Sequence, residues 1–285
     1  MSAHTPHQHG QGPAQPGPQP LPGVDAIIAV GSGKGGVGKT TLSVNLAVAL
    51  TKMGHKVGLL DADVYGPNVP LMLGVNAQPR MVGENRIEPI EAFGLKVISV
   101  GFLNPGDKPI IWRGPMLHQI VRQFRGLVEW GQLDYLVVDL PPGTGDIALS
   151  LVQTVPLTGA VVVSTPSDVS LQDARKAIEM FRQMKVDVVG VVENMSFFVC
   201  PHCHNEVDIF SRGGAEKMAQ QFGVPFLGNI ELDPEVRKSG DGGKPVVLEG
   251  ENSTHAKSIF QFARRVAARV EEIRANAPAD VIQIQ

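Results

Sequence analysis

The chain has 285 residues, of which 43% are apolar, 5% aromatic and 19% charged, with a formal net charge of −3. The apolar share suffices for a sizeable core, while the near-neutral charge excludes a global pull toward nucleic acid or anionic lipid. So few aromatics leave little for a base-stacking surface.

Residues 1–23 hold His4, His7 and His9, six prolines, four glycines and four glutamines, with no charged side chain. Such a stretch buries too little apolar surface to offset its ordering entropy. A disordered tail is expected there, with weak metal binding by the histidines as the alternative. It has neither the apolar run of a secretory signal nor the arginine-rich pattern of a transit peptide. No stretch reaches the roughly 18 apolar residues of a membrane span. The expected location is the cytoplasm, and neither a membrane nor a nucleic acid is expected as a partner.

From Asp25 on, apolar runs alternate with helical patterns. Residues 26–30, 57–60, 97–100, 135–138, 160–163 and 186–192 are short, β-branched and continuously apolar, as buried parallel strands are, and 225–230 reads as one more. Helices are expected over 40–52, 115–129, 171–184 and 215–221. The alternation predicts one α/β domain over 24–277, doubly wound around a mainly parallel sheet, with ligands at the carboxyl ends of the strands. A final helix over 254–275 places Ile259, Phe262, Val266, Val270 and Ile273 on one face, with Arg264, Arg265, Arg269 and Arg274 elsewhere. A helix closing the domain is expected, and a membrane-surface helix is the alternative. Residues 278–285 are expected to fray.

Gly33-Lys34-Gly35-Gly36-Val37-Gly38-Lys39-Thr40 fits G-x-x-x-x-G-K-[ST] between a predicted strand and a predicted helix, the context a phosphate loop requires. Its glycines let backbone N–H groups converge on phosphate oxygens, and the helix N-terminus adds partial positive charge. Lys39 is expected on the β and γ phosphates and the Thr40 hydroxyl on magnesium. Asp139 ends a strand where a Walker B carboxylate belongs, followed by the loop Pro141-Pro142-Gly143-Thr144-Gly145 as a γ-phosphate sensor. Asp61 and Asp63 end another strand. Asp63 is assigned to positioning the attacking water and Asp61 to an outer contact with magnesium, against the alternative that both cap a turn. The predicted ligands are ATP and Mg²⁺.

Lys34 is not required by the general loop pattern. Taken with Thr41 and the Asp61-Ala62-Asp63 run, the loop resembles the deviant-Walker ATPases, which include the nitrogenase iron protein, the septum-site and plasmid-partitioning ATPases and the Mrp iron–sulfur cluster carriers. The resemblance implies a nucleotide-linked homodimer in which Lys34 acts on the partner's nucleotide. It also implies adenine recognition by Asn194, although an asparagine at a strand end is more often a turn former.

The only two cysteines, Cys200 and Cys203, form C-x-x-C. In a reducing compartment that spacing favours metal or redox chemistry over a structural disulfide. Zinc completed by nearby histidines or a second chain remains open. So does c-type haem attachment through C-x-x-C-H, which would require export. A thioredoxin-like pair would sit at a helix start after a strand, and that context is missing. The stretch Glu193 to Cys203 resembles the Mrp family, as do Asp61 to Asn68 and Asp139 to Asp146, over about residues 25–265. The resemblance implies a labile [4Fe–4S] cluster. Such a cluster commonly takes four thiolates, and two chains about a twofold axis would supply them. Apo iron–sulfur proteins are then the recipients, and ATP hydrolysis is slow. His204 and Ser211 stand where the family often carries glycine. The N-terminal four-cysteine motif of the family's eukaryotic cytosolic members does not occur in this sequence, so by the resemblance no permanent second cluster is expected. The competing function is an ATPase that positions itself on membrane or DNA, or one with a structural zinc.

Overall fold

The computed structural model describes residues 20–83, 86–103 and 127–277. Its centre is an eight-stranded sheet, all parallel but for one edge. In chain order the main elements are β1 (Val24–Ser32), α1 (Lys39–Lys52), β2 (Val57–Asp61), the short α2 (Val69–Met72), the hairpin β3 (Arg80–Val82) and β4 (Arg86–Glu88), β5 (Ile90–Ala92) and β6 (Leu95–Ser99). Then come β7 (Leu133–Asp139), α3 (Asp146–Thr154), β8 (Gly159–Ser164), α4 (Asp168–Gln183) and β9 (Val188–Glu193). The hairpin β10 (Phe198–Val199) and β11 (Glu206–Val207) precedes α5 (Gly214–Phe222), β12 (Phe226–Asn229), α6 (Pro234–Asp241) and α7 (Lys257–Asn276). The sheet order is β12-β9-β8-β1-β7-β2-β6-β5, and only β5 runs antiparallel to its neighbour.

The continuous apolar runs form central strands because both faces of the sheet are covered. All residues of β2 and β8 are buried. Alternate side chains feed different layers: Ala26, Ile28 and Val30 of β1 join the core with α1 and α7, while Ile27 and Ala29 join the one with α3, α4 and α5. Every predicted strand is present within a residue or two, and the helices expected over 40–52, 171–184, 215–221 and 254–275 are present within three.

The sequence reading is corrected at several places. Leu21, assigned to the tail by composition, is buried in the core, and the Val24 N–H donates to its carbonyl. Residues 1–19 and 278–285 lie outside the described residues, as does most of the helix expected over 115–129. Of its last residues, Leu127 is helical while Val128 already bridges to Ile87, so the helix ends two residues before the expected bound. α3 and α6 were not foreseen, and neither were the small hairpins, whose strands have only two or three residues.

α7 closes the domain. Ile259, Phe262, Val266 and Val270 are fully buried with α1, each contributing about 1.5–3 kcal/mol. Its arginines are engaged within the fold: Arg264 with Glu251, Arg269 with Glu272, Arg274 with Glu271, and Arg265 on the Leu227 carbonyl at 3.1 Å. The membrane-surface alternative for this helix is thereby overturned, since the face it needs is packed. Among the described residues, no helix is long and apolar enough to cross a membrane.

Candidate functional site

The phosphate loop runs from the end of β1 into the first turn of α1 at the carboxyl edge of the sheet. Gly36 and Gly38 have φ of +80° and +81°, which side-chain-bearing residues rarely adopt. A Cβ on Gly35 or Gly36 would meet only open space, so these backbone groups face the cleft. On Gly33 a Cβ would collide with the Asp173 backbone of α4, and on Gly38 with the Asn194 side chain. Two glycines leave room for a ligand, and two leave room for the protein. Val37 is buried and anchors the loop.

The ends of β7 and β2 converge on Lys39. Its Nζ lies 2.8 Å from Asp139 Oδ1, 3.3 Å from Asp63 Oδ2 and 3.2 Å from the Thr40 hydroxyl. Thr40 donates to Asp139 Oδ2 at 2.8 Å, and Ser43 donates to Oδ1 at 2.6 Å. Asp61 pairs in register with Asp139 across β2 and β7. Its Oδ1 accepts the Asp63 N–H at 3.1 Å, and its Oδ2 accepts the Ser99 hydroxyl at 2.8 Å and the Val69 N–H at 3.3 Å. Burial, and then the charge of Asp139, push the Asp61 carboxyl up to about 7. Burial likewise raises Asp63, against the pull of Lys39. Three carboxylates crowd Lys39 here, and the charge of Asp139 adds to the rise at both Asp61 and Asp63.

That donor set fits a hard divalent cation. Magnesium is bound through one or two carboxylates plus substrate phosphates and retained waters, and Thr40 and Asp139 present oxygen donors side by side. Asp61 has its oxygens taken up by the protein, in keeping with an outer rather than a direct contact. The loop borders a cleft of about 540 Å³, lined also by Lys34, Thr41, Asp63, Tyr65 and Pro142. Lys34 is half-buried there, its carbonyl accepting the Ser32 hydroxyl at 2.9 Å. Asn194 Nδ2 donates to the Val37 carbonyl at 2.8 Å, which places it against the loop. Sequence reasoning missed Ser43 and Ser99. Ser43 was findable, since it lies four residues after Lys39 on one helix face.

Cys200 and Cys203 occupy the turn between β10 and β11, the first half-buried and the second exposed. The turn is closed by Cys200 N–H to the Asn205 carbonyl at 3.0 Å and His204 N–H to the Cys200 carbonyl at 2.9 Å. The N–H groups of Cys203 and then His202 reach the Cys200 sulfur and hold its thiol below the usual range, favouring the thiolate that metals bind. His204 and Ser211 have φ of +58° and +71°, the physical reason glycine suits both positions. Among the described residues, no three of His, Cys, Asp and Glu come together to hold a metal ion, so neither His202 nor His204 completes a one-chain zinc site. The pair sits on a hairpin tip rather than at a helix start, as a thioredoxin-like motif would.

The profile of the ParA family, described as NUBPL iron-transfer P-loop NTPase, matches residues 23–267. The iron-sulfur cluster carrier protein of Aquifex aeolicus is 50% identical over 258 residues, covering 90% of this chain and 71% of its own. A nucleotide-binding protein from Archaeoglobus fulgidus, solved with ADP, superposes with a TM-score of 0.71 at 39% identity, over 79% of this chain and 88% of that one. The cell division ATPase MinD of Pyrococcus furiosus shares the fold alone, with a TM-score of 0.65 at 24% identity over 86% of this chain and 99% of its own. With a phosphate loop in place, two thiols on an adjoining hairpin and the family profile covering nearly all of the packed chain, the protein belongs to the NUBPL iron-transfer P-loop NTPases of the ParA family.

Proposed function

We propose that this chain is an ATP-hydrolysing iron–sulfur cluster carrier that works as a homodimer, two copies pooling Cys200 and Cys203 around one labile [4Fe–4S] cluster delivered to apoproteins. The observation that carries the reading is the paired thiols on an exposed turn, with Cys200 held toward its thiolate by two backbone N–H groups. A chain with two cysteines supplies half the thiolates such a cluster commonly takes. Opening the dimer removes half the ligands, which suits a cargo that must leave. The relatives named as carriers, such as that of Aquifex aeolicus, support it.

On the nucleotide side, the backbone N–H groups of residues 33–38 and the start of α1 receive the phosphates. Lys39, now held by Asp139 and Asp63, is placed to turn onto the β and γ oxygens. Asp63 accepts a hydrogen bond from the attacking water and orients it, and Lys34 of one chain neutralises charge on the nucleotide of the other. Asn194, held against the loop through the Val37 carbonyl, is assigned to recognition of the adenine. Thr40 and Asp139, with Asp61 behind them, would hold magnesium, whose contribution is neutralisation of charge spreading over the transferred phosphoryl group. The reading that this is an ATPase positioned on membrane or DNA rests on fold likeness alone.

The test is anaerobic reconstitution with iron and sulfide. About two irons and two sulfides per chain are expected, with visible charge-transfer absorption and a dimer by light scattering. Cys200→Ser or Cys203→Ser should remove nearly all bound iron while ATP binding persists. Cluster uptake equal to the parent's in these variants would refute the site, and zinc retained through the same procedure without cluster would favour a structural metal.

A further inference from the structure

One short connection, residues 193–196, joins the phosphate loop to the cysteine hairpin. Glu193 ends β9 with its side chain fully buried. Its Oε1 accepts the Ser196 hydroxyl at 2.6 Å and the Gly213 N–H at 2.9 Å, and its Oε2 accepts the Ala215 N–H at 2.8 Å. Ser196 and Gly213 flank residues 197–212, the excursion that carries both cysteines. One carboxylate therefore clasps both stems. Buried polar oxygens are nearly always hydrogen-bonded, and here both oxygens have partners, so this geometry is tightly specified.

The next residue reaches the other way. Asn194 donates to the Val37 carbonyl of the phosphate loop at 2.8 Å, and a Cβ on Gly38 would come within 2.2 Å of its amide nitrogen. Met195 beside it has φ +56°, and Ser211 near the far stem +71°, conformations that side-chain-bearing residues hold only where their surroundings impose them. The Ser196 N–H donates to the Ile230 carbonyl at 2.9 Å and the Leu232 N–H to the Phe197 carbonyl at 2.7 Å, so the near stem is also tied to the chain after β12. Fully buried, Glu193 offers no surface to nucleotide or cargo. It acts through what it holds.

We propose that Glu193 is a positioning residue which, with Asn194, fixes the cysteine excursion to the phosphate loop, so that nucleotide at the loop alters how Cys200 and Cys203 are presented. This deepens the carrier reading and rests on it for the identity of the cargo, but not for the geometry.

The two cysteines are the only thiols in the chain, so alkylation by a maleimide, followed by mass spectrometry on the full-length protein with and without Mg-ATP, reads their presentation directly. The parent's alkylation rate is expected to change about fivefold or more with nucleotide. Glu193→Gln sets an amide NH₂ against a backbone N–H and should lose that dependence while keeping its ATP affinity. Ser196→Ala removes only the near-stem bond and should give an intermediate response. A merely structural carboxylate would lower Tm on substitution and leave the nucleotide dependence intact. That result, or parent thiols indifferent to nucleotide, overturns the proposal. Should Glu193→Gln fail to fold, Ser196→Ala decides alone, and an unchanged dependence there counts against it. Iron uptake is measured on the same preparation: thiols that respond to nucleotide in a chain taking up no iron would sink the carrier reading and leave the role of Glu193 standing.

Discussion

In the phosphate loop Lys39 is 5% exposed and reaches Asp139, Asp63 and Thr40, with Ser43 and Asp61 packed behind. In the cysteine hairpin, strands of two residues hold a turn in which Cys203 and both neighbouring histidines are exposed. The first region is pre-organised by buried partners within one chain, as electrostatic stabilisation of a transferring phosphoryl group requires. The second is open, with two thiols per chain where a [4Fe–4S] cluster commonly takes four, and is steadied by turn hydrogen bonds and one exposed ion pair rather than by a buried network. Under the proposed function, the groups that would act repeatedly on one kind of substrate are buried in a network, while the thiols proposed to take up and surrender cargo are left accessible.

The contrast can be tested by breaking each side. Lys39→Ala is expected to lower ATP hydrolysis by roughly 10²–10³-fold in a steady-state phosphate-release assay, because it removes the cation, now paired with Asp139 and Asp63, that is proposed to turn onto the phosphates. Hydrolysis within a factor of a few of the parent would mean that the nucleotide is not handled here. Lys34→Ala should cost less, about 10- to 100-fold, the worth of one charge-assisted hydrogen bond. Because Lys34 is proposed to act across the dimer, mixing this variant with Lys39→Ala should recover part of the activity. No recovery at any mixing ratio would place Lys34 on its own chain's nucleotide.

A pH series sharpens the picture of the buried cluster. The folded chain holds the Asp61 proton more tightly than the unfolded chain, where the group titrates near its ordinary 3.8. The stability this proton brings is fully present below that value and is lost as pH rises toward and past about 7. Asp61→Asn carries no such loss, so its Tm relative to the parent should climb between about pH 4 and about pH 7 without magnesium. A Tm difference that stays flat across that window would show Asp61 ionised throughout.

The smallest expected effect lies on the hairpin side. Ser211→Gly relieves a left-handed residue and should stabilise the chain by about 1 kcal/mol, raising Tm by about 2–4 °C for a protein of this size. A fall in Tm would mean that the Ser211 side chain contributes more than its backbone costs.

The sheet was legible because each central strand is a continuous β-branched run, a pattern produced by cover on both faces. The phosphate loop was legible because its glycines and Lys39-Thr40 are adjacent in sequence. α3 was missed because its loop-like Gly143-Thr144-Gly145 approach masks a short helix, and α6 because only Val236 of its eight residues is a large apolar side chain. Leu21 was lost in a proline-rich context, although one buried leucine is enough to extend a core. The glycine preference at His204 and Ser211 was visible as a departure from the family, but its cause, a positive φ, is a backbone property that no residue letter carries.

By itself, the sequence determined the order of the central strands and of the longer helices, the phosphate loop and the pair of thiols, since all are encoded in residues close along the chain. Only the tertiary structure decided that Asp61, Asp139 and Lys39 share one buried network and that Glu193 holds both ends of the cysteine excursion. Those contacts join residues tens of positions apart, and strand register and packing, which are set by the whole core, choose which of many aspartates and glutamates meet.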